Sequence, residues 1–368
     1  AMREVSSALF GSEILTGDLE DFPALLSARF PFGKYLVLTD EESAFPVLET
    51  LKNLPKKIQL VIRSEDDAVP LFHLSDGITC VVGAGKACSL GRYFAAARAL
   101  PFVAVCTSPE PFGLFRAHAR VFSGKQEVIY PVPPPALVYG GARELSENER
   151  GQMRARAFLV ACSLSVFCRR ALKAVGLPVS EADSSENSEA LLSASAKCFS
   201  EGAETLFFAV TAAEYCFRSG YPEGEIFAFR DAAEKISGKS DLLAPCCKVL
   251  SDAYALFFES GFYRGGKVDY NGRREAAEKL AQGTDIFVGE SVVPSLNELE
   301  KYEKNFEEAR KKILPAISGI QRDCRIFKEE IGNDVFRIFA DVLKLLPELS
   351  QSLMPYGIAA LMRDFSLL

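Results

Sequence analysis

The chain has 368 residues, 48% apolar and 25% charged, which allows two globular domains, each able to bury its own core. A net charge of −7 argues against a nucleic-acid surface, which needs a basic footprint. The longest nearly continuous apolar run, 157–168, falls short of the roughly 20 residues of a membrane span.

In chain order, residues 34–39 read as a buried parallel strand that ends at Asp40, ahead of a helix over 43–54. A second strand follows over 58–62 and a third over 78–82. The third strand meets Gly83-Ala84-Gly85, a helix-like segment over 86–100, and a fourth strand over 102–105 that ends in Cys106-Thr107-Ser108. Short apolar strands separated by helix-length segments imply a doubly wound parallel sheet, a Rossmann-like α/β domain. A glycine turn at a helix start lets backbone N–H groups and the helix dipole face a phosphate. Residues 127–130 and 136–139 flank Pro131-Val132-Pro133-Pro134-Pro135 and read as edge strands with a rigid crossover.

After about Gly141 the pattern is helical throughout. Apolar spacing predicts helices over 147–175, 189–199, 203–219, 225–236, 242–262, 273–282, 295–314, 318–331 and 334–346. The breaks fall at Gly176, Gly220, Gly238, Gly283, Pro294, Pro315 and Pro355, and 179–188, rich in Ser and Glu, reads as a mobile loop. The charge-rich stretch 299–312 reads as a solvated helix face. The expected division is a nucleotide-binding-like domain over 2–142 and an all-helical domain over 143–368.

These elements resemble the dehydroquinate-synthase-like superfamily, which includes iron-containing alcohol dehydrogenases and glycerol dehydrogenase. The match is nearest the sn-glycerol-1-phosphate dehydrogenase branch, echoed by Pro133-Pro134-Pro135-Ala136-Leu137-Val138. Members carry Gly-Gly-Gly-Ser/Thr, then Asp and Lys at three-residue steps; here the positions read Gly83-Ala84-Gly85-Lys86, Ser89 and Arg92. Thr107 matches the Thr of the family's Pro-Thr, and Gly113 is the remnant of its Asp-Gly. The resemblance implies NAD or NADP near Asp40, Gly83, Ala84, Gly85, Lys86, Thr107 and Ser108. It also implies a divalent ion held by an Asp and two His. At those places stand Gln152 in Gly151-Gln152-Met153-Arg154-Ala155-Arg156, Thr205 in Glu201-Gly202-Ala203-Glu204-Thr205, and Glu223 in Glu223-Gly224-Glu225. An amide, a hydroxyl and one carboxylate cannot reproduce imidazole affinity for Zn²⁺ or Fe²⁺, so neither metal is expected.

Several residues are open to two readings. Lys86 could pair with a phosphate or fill its space, and Asp40 could contact a ribose hydroxyl or cap a helix. Arg92 and Arg156 could neutralise an anion or bridge carboxylates. Glu204, Glu223 and Glu225 could supply acid/base chemistry, but acids at helix starts have an ordinary dipole role. The only two histidines, His73 and His118, read as structural and surface residues, and Phe207-Phe208 and Phe257-Phe258 as core. Ten cysteines without a Cys-x-x-Cys pair read as buried and reduced in a cytoplasmic protein. The expected protein is a divergent dehydrogenase that has lost metal-dependent catalysis and binds a nucleotide or phosphorylated metabolite, with a homodimer allowed. The competing expectations are an active NAD(P)-dependent polyol or sn-glycerol-1-phosphate dehydrogenase and a protein that acts only through its surfaces.

Overall fold

A computed structural model describes residues 3–5, 11–31, 33–54, 56–62, 77–123, 126–177, 185–219, 221, 223–260, 268–290, 292–328, 332–349 and 357–365. In chain order the first elements are β1 (Arg3–Val5), β2 (Glu13–Gly17), α1 (Phe22–Arg29), β3 (Tyr35–Asp40), α2 (Glu41–Thr50), β4 (Lys57–Ile62), β5 (Cys80–Ala84), α3 (Ala87–Ala97) and β6 (Phe102–Cys106). Then come β7 (His118–Ser123), β8 (Gln126–Pro131), β9 (Leu137–Gly141), α4 (Ala142–Glu147), α5 (Glu149–Val175), α6 (Ser185–Ser195) and α7 (Ala203–Arg218). The remaining helices are α8 (Glu225–Ser237), α9 (Leu243–Ser260), α10 (Tyr270–Leu280), α11 (Leu296–Asp323), α12 (Asn333–Leu349) and α13 (Ile358–Asp364). Two compact units form: Ala1–Arg156 with Lys197–Ser219, and Ala157–Ala196 with Gly220–Leu368.

The first unit is built on a seven-stranded sheet of order β1-β2-β9-β6-β5-β3-β4, in which only the β1–β2 pair is antiparallel. Strand periodicity divides its side chains cleanly. Ile14, Leu36, Leu38, Val81, Ala104 and Val138 face one way, under Cys88, Leu90 and Phe94 of α3 and Phe207 of α7. Leu15, Tyr35, Val37, Val82, Val103, Val105 and Tyr139 face the other way, against Phe22 and Leu26 of α1, Val47 of α2 and Leu51 just past its end. Both faces are thus covered, which is why β3, β5 and β6 read as unbroken apolar runs.

Strand order reverses at β3. The chain goes outward to β4, returns to β5 on the other side, and continues through β6 to β9. Two sequence expectations change here. β9 is an interior strand between β2 and β6, not an edge strand, and it is buried along its length. Residues 126–131 leave the main sheet and pair antiparallel with β7. The prolines between them therefore connect two sheets, and Pro131 closes the ladder opposite His118.

The second unit is helical. The helix breaks expected at 294 and 238 hold: Ser295 caps α11 with a reciprocal Glu298 capping box, and Gly238 ends α8 at φ +65°. The break expected at Pro315 does not. α11 runs straight through it as one helix, not two, with Tyr302, Phe306, Ala309, Ile313, Ile317 and Ile320 buried along one stripe. An internal proline costs about 3 kcal/mol, whereas burying the three isoleucines contributes roughly 1.5–3 kcal/mol each, so packing wins. The loop expected over 179–188 is helical from Ser185 onward, and its earlier part lies outside the described residues. Gly224 lies against α5, where an added Cβ would come 2.8 Å from Ser165 Cα. α13 had no expectation in the sequence; Glu225 accepts the N–H groups of Ile358 and Ala359 at 3.0 and 3.1 Å and the Tyr254 hydroxyl proton. Glu348, Arg363 and Asp364 form a buried ion cluster joined by Arg273 and by the Tyr270 hydroxyl. All ten cysteines are buried, as expected.

Candidate functional site

Strand order reverses between β3 and β5, and the crevice where open α/β sheets take their ligands lies outside the carboxyl ends of the strands at such a point. Asp40 ends β3 and Gly85 follows β5. Gly83 and Ala84 belong to the strand itself, paired with Ala104 and Val105 of β6. Gly83 serves packing, since an added Cβ would strike the Phe102 ring at 2.8 Å. Ala84 is buried in the core. The turn proper is Gly85-Lys86, with Gly85 at φ +59° and Lys86 exposed. That left-handed conformation is open to glycine at little cost.

Asp40 unites the two sides of the crevice. Its Oδ1 accepts the Ser43 N–H at 2.8 Å, capping α2, and its Oδ2 accepts the Lys86 N–H at 2.8 Å. Of the two readings open to Asp40, the helix cap is realised, with a second bond that only the fold could supply.

Thr107 and Ser108 lie at the end of β6. The Thr107 carbonyl accepts from Asn148 at 3.4 Å, while the Ser108 hydroxyl accepts the Glu110 N–H at 3.3 Å and packs against Gly151. Thr107 lines a cavity of about 930 Å³ that runs along the carboxyl ends of β2, β6 and β9 to the outer side of α2. Its walls carry Asp18, Glu20, Asp21, Glu42, Glu144, Glu147 and Glu149 against Arg143 and Arg150, with Phe45 exposed at the rim. Sequence reasoning missed this acidic wall because its residues come from four separate segments. Among the seven residues assigned to a cofactor, Thr107 alone lines it.

The loop after β6 is fastened from beneath. Glu214, buried on α7, accepts the Gly113 and Phe115 N–H groups at 2.6 and 3.2 Å, and burial pushes its carboxyl above the usual range. Arg92, buried too, donates to the carbonyls of Gly113 and Arg116, and burial lowers it to about 10. Arg156 donates to the carbonyls of Cys198 and Ser200 at 3.0 and 2.9 Å. Both arginines therefore hold backbone, a role neither sequence reading gave them. His118 is exposed on β7, as read, and His73 lies outside the described residues.

Of the positions matched to metal ligands, Gln152 spends its amide N–H groups on the carbonyls of Leu145 and Ser146 at 3.2 and 2.9 Å. Thr205 is exposed in the first turn of α7, and Glu223 is half-buried ahead of α8. Glu204 accepts the Thr16 hydroxyl proton at 2.6 Å. Among the described residues no group of three or more His, Cys, Asp or Glu is placed to hold a metal ion. This donor chemistry does not fit a tightly bound transition metal. No described helix is long and apolar enough to cross a membrane.

The parallel sheet followed by helices is the fold of the iron-containing alcohol dehydrogenases, and the solved structures most similar to the chain include several of them. One, from Thermococcus thioreducens, superposes with a TM-score of 0.55 at 13% identity, over 97% of this chain and 96% of that one. Another, from Corynebacterium glutamicum, gives 0.52 at 13% identity over 95% and 90%. An archaeal halo-thermophilic alcohol dehydrogenase from a Red Sea brine pool gives 0.50 at 12% identity over 96% and 94%. No family model and no curated protein matches the sequence.

Proposed function

We propose that this chain is a divergent dehydrogenase-fold protein that has lost metal-dependent catalysis and binds a dinucleotide or phosphorylated small molecule, NAD or NADP first among candidates. The observation that carries this reading is the Gly85-Lys86 turn beside Asp40 at the point where strand order reverses. Phosphates would rest at the turn, helped by the exposed Lys86 ammonium. The acidic cavity suits a cationic or hydroxyl-bearing end of the ligand, since seven carboxylates against two guanidiniums repel phosphate.

Loss of catalysis follows from the donors. Without an ion to polarise the alcohol or carbonyl, several kcal/mol of transition-state stabilisation disappear, and each 1.4 kcal/mol or so is tenfold in rate. The nucleotide-binding-like half is taken as 2–142, with the acidic cavity continuing onto residues 143–150, and a cytoplasmic location and a homodimer are parts of the same proposal.

The test is calorimetric titration of metal-analysed protein with NADH and NADPH. Micromolar binding without stoichiometric Zn or Fe supports the reading. Tightly held Zn or Fe would overturn the loss of the metal site and favour an active polyol or glycerol-phosphate dehydrogenase. Neither metal nor nucleotide binding would leave phosphorylated metabolites and protein surfaces as the alternatives.

A further inference from the structure

The cavity at the carboxyl ends of β2, β6 and β9 has a chemistry of its own. We propose that it binds a linear aliphatic polyamine, whose ammonium groups meet the acidic wall while its methylene spacers lie against the apolar lining. The inference rests on the reading that this cavity takes a cationic group and needs nothing at the glycine turn.

Seven carboxylates against two guanidiniums leave the lining with a net charge of −5 around about 930 Å³, a volume in the range of small-molecule sites. One guanidinium is already engaged, since Arg143 pairs with Glu147 at 2.9 Å. The segment carrying Asp18 and Asp21 is fixed by the Tyr139 hydroxyl, which donates to the Asp18 carbonyl at 2.7 Å. Burial, and then the charges of Asp21, Asp18 and Glu144, push that hydroxyl up to about 12.

Exposed acids alone would make only a solvated surface, but Glu144 is not of that kind. Its Oε2 is buried and finds no hydrogen-bond donor among the described residues. It lies over Gly141, where an added Cβ would come 2.4 Å from Oε2 and 3.5 Å from Leu19 Cδ1, and Leu19 itself lines the cavity. The carboxylate is thus turned inward, and a buried acceptor is costly until a donor reaches it. An ammonium N–H is such a donor.

The spread of charge selects the class of cation. Among the described residues no three of the acids stand together as a metal site would require, so the wall suits several spaced ammonium groups and not one point charge. Leu19 and Pro46 supply apolar stretches for the methylenes between them. Phe45, 79% exposed at the rim, offers a ring face that attracts an ammonium.

The experiment is calorimetric titration of the full-length protein with spermidine, with n-butylamine and magnesium chloride as comparisons. It is run at about 0.15 M salt, where exposed charges are screened beyond roughly 8 Å. The expected result is one spermidine per chain, bound about tenfold or more tighter than either comparison. Glu144→Gln should weaken it about tenfold, and Phe45→Ala severalfold without disturbing the core. Glu308→Gln, on an exposed face of α11 and paired with Lys312, should leave it unchanged. Absence of spermidine binding, equal binding of magnesium, or a loss in Glu308→Gln as large as in Glu144→Gln would each overturn the proposal. So would wild-type affinity in Glu144→Gln or, if that variant does not fold, in Phe45→Ala. Titration with NADH keeps the two readings apart. Spermidine binding without NADH binding leaves the polyamine site and removes the dinucleotide; NADH binding without spermidine binding does the reverse.

Discussion

Replacing Gly85 by Ala probes the turn most directly. At φ +59° an alanine incurs the left-handed penalty of about 1–2 kcal/mol. Its Cβ would also sit 2.2 Å from Asp40 Oδ2 and 2.5 Å from Ser43 Oγ, so the carboxylate has to move. Moving it sacrifices the α2 cap, about 1 kcal/mol, and weakens the bond to the Lys86 N–H, which together bring the total to about 3 kcal/mol. In an Asp40→Ala background the carboxylate is gone and only the Ser43 hydroxyl has to turn aside, so the same substitution costs little more than the backbone term. Reversible urea unfolding of the two single variants and the double variant measures this. A coupling of about 1–2 kcal/mol between the sites is expected. A cost below about 1 kcal/mol for Gly85→Ala, or strict additivity of the two changes, would refute the reasoning.

Two further outcomes test the helical unit. Arg363→Met leaves Glu348, wholly buried, short of one of its cationic partners and Asp364 short of its own, and should cost about 3–5 kcal/mol of stability. Adding Glu348→Gln should recover part of that cost in urea unfolding, and a double variant less stable than the single one would sink the ion-cluster account. Burial, against the bonds from Tyr254, Ala359 and Ile358, pushes the Glu225 carboxyl up to about 7. A carboxyl whose folded value exceeds its unfolded 4.5 binds an extra proton when folded, so its contribution weakens as pH rises through that window and is level above it. The loss from pH 4.5 to 7 amounts to about 3 kcal/mol, and Glu225→Gln should abolish it; identical stability–pH curves for the two proteins would refute the assignment.

Much of the architecture was legible because it is written in local chemistry. Runs such as Tyr35 to Thr39 and Phe102 to Val105 are apolar on both faces, which only a strand covered on both sides needs. Pro294 marked a helix start, and Gly238 marked an end. Pro315 misled because its cost is local while the compensation, the buried stripe of α11, depends on neighbours distant in sequence. β9 misled for a similar reason, since prolines before a strand do not say whether its flanks find partners.

By itself the sequence determined the alternation of strand and helix, the helical second half, the glycine turn and the absence of a histidine-rich donor set. These follow from residue type and spacing along one stretch of chain. Only the tertiary structure decided that β9 lies inside the sheet, that Arg92 and Glu214 clamp the loop after β6, and that seven carboxylates from separate segments share one cavity. It alone set Asp40 against the Lys86 N–H, 46 residues away, because hydrogen-bond partners across a crevice are chosen by strand order and not by sequence distance.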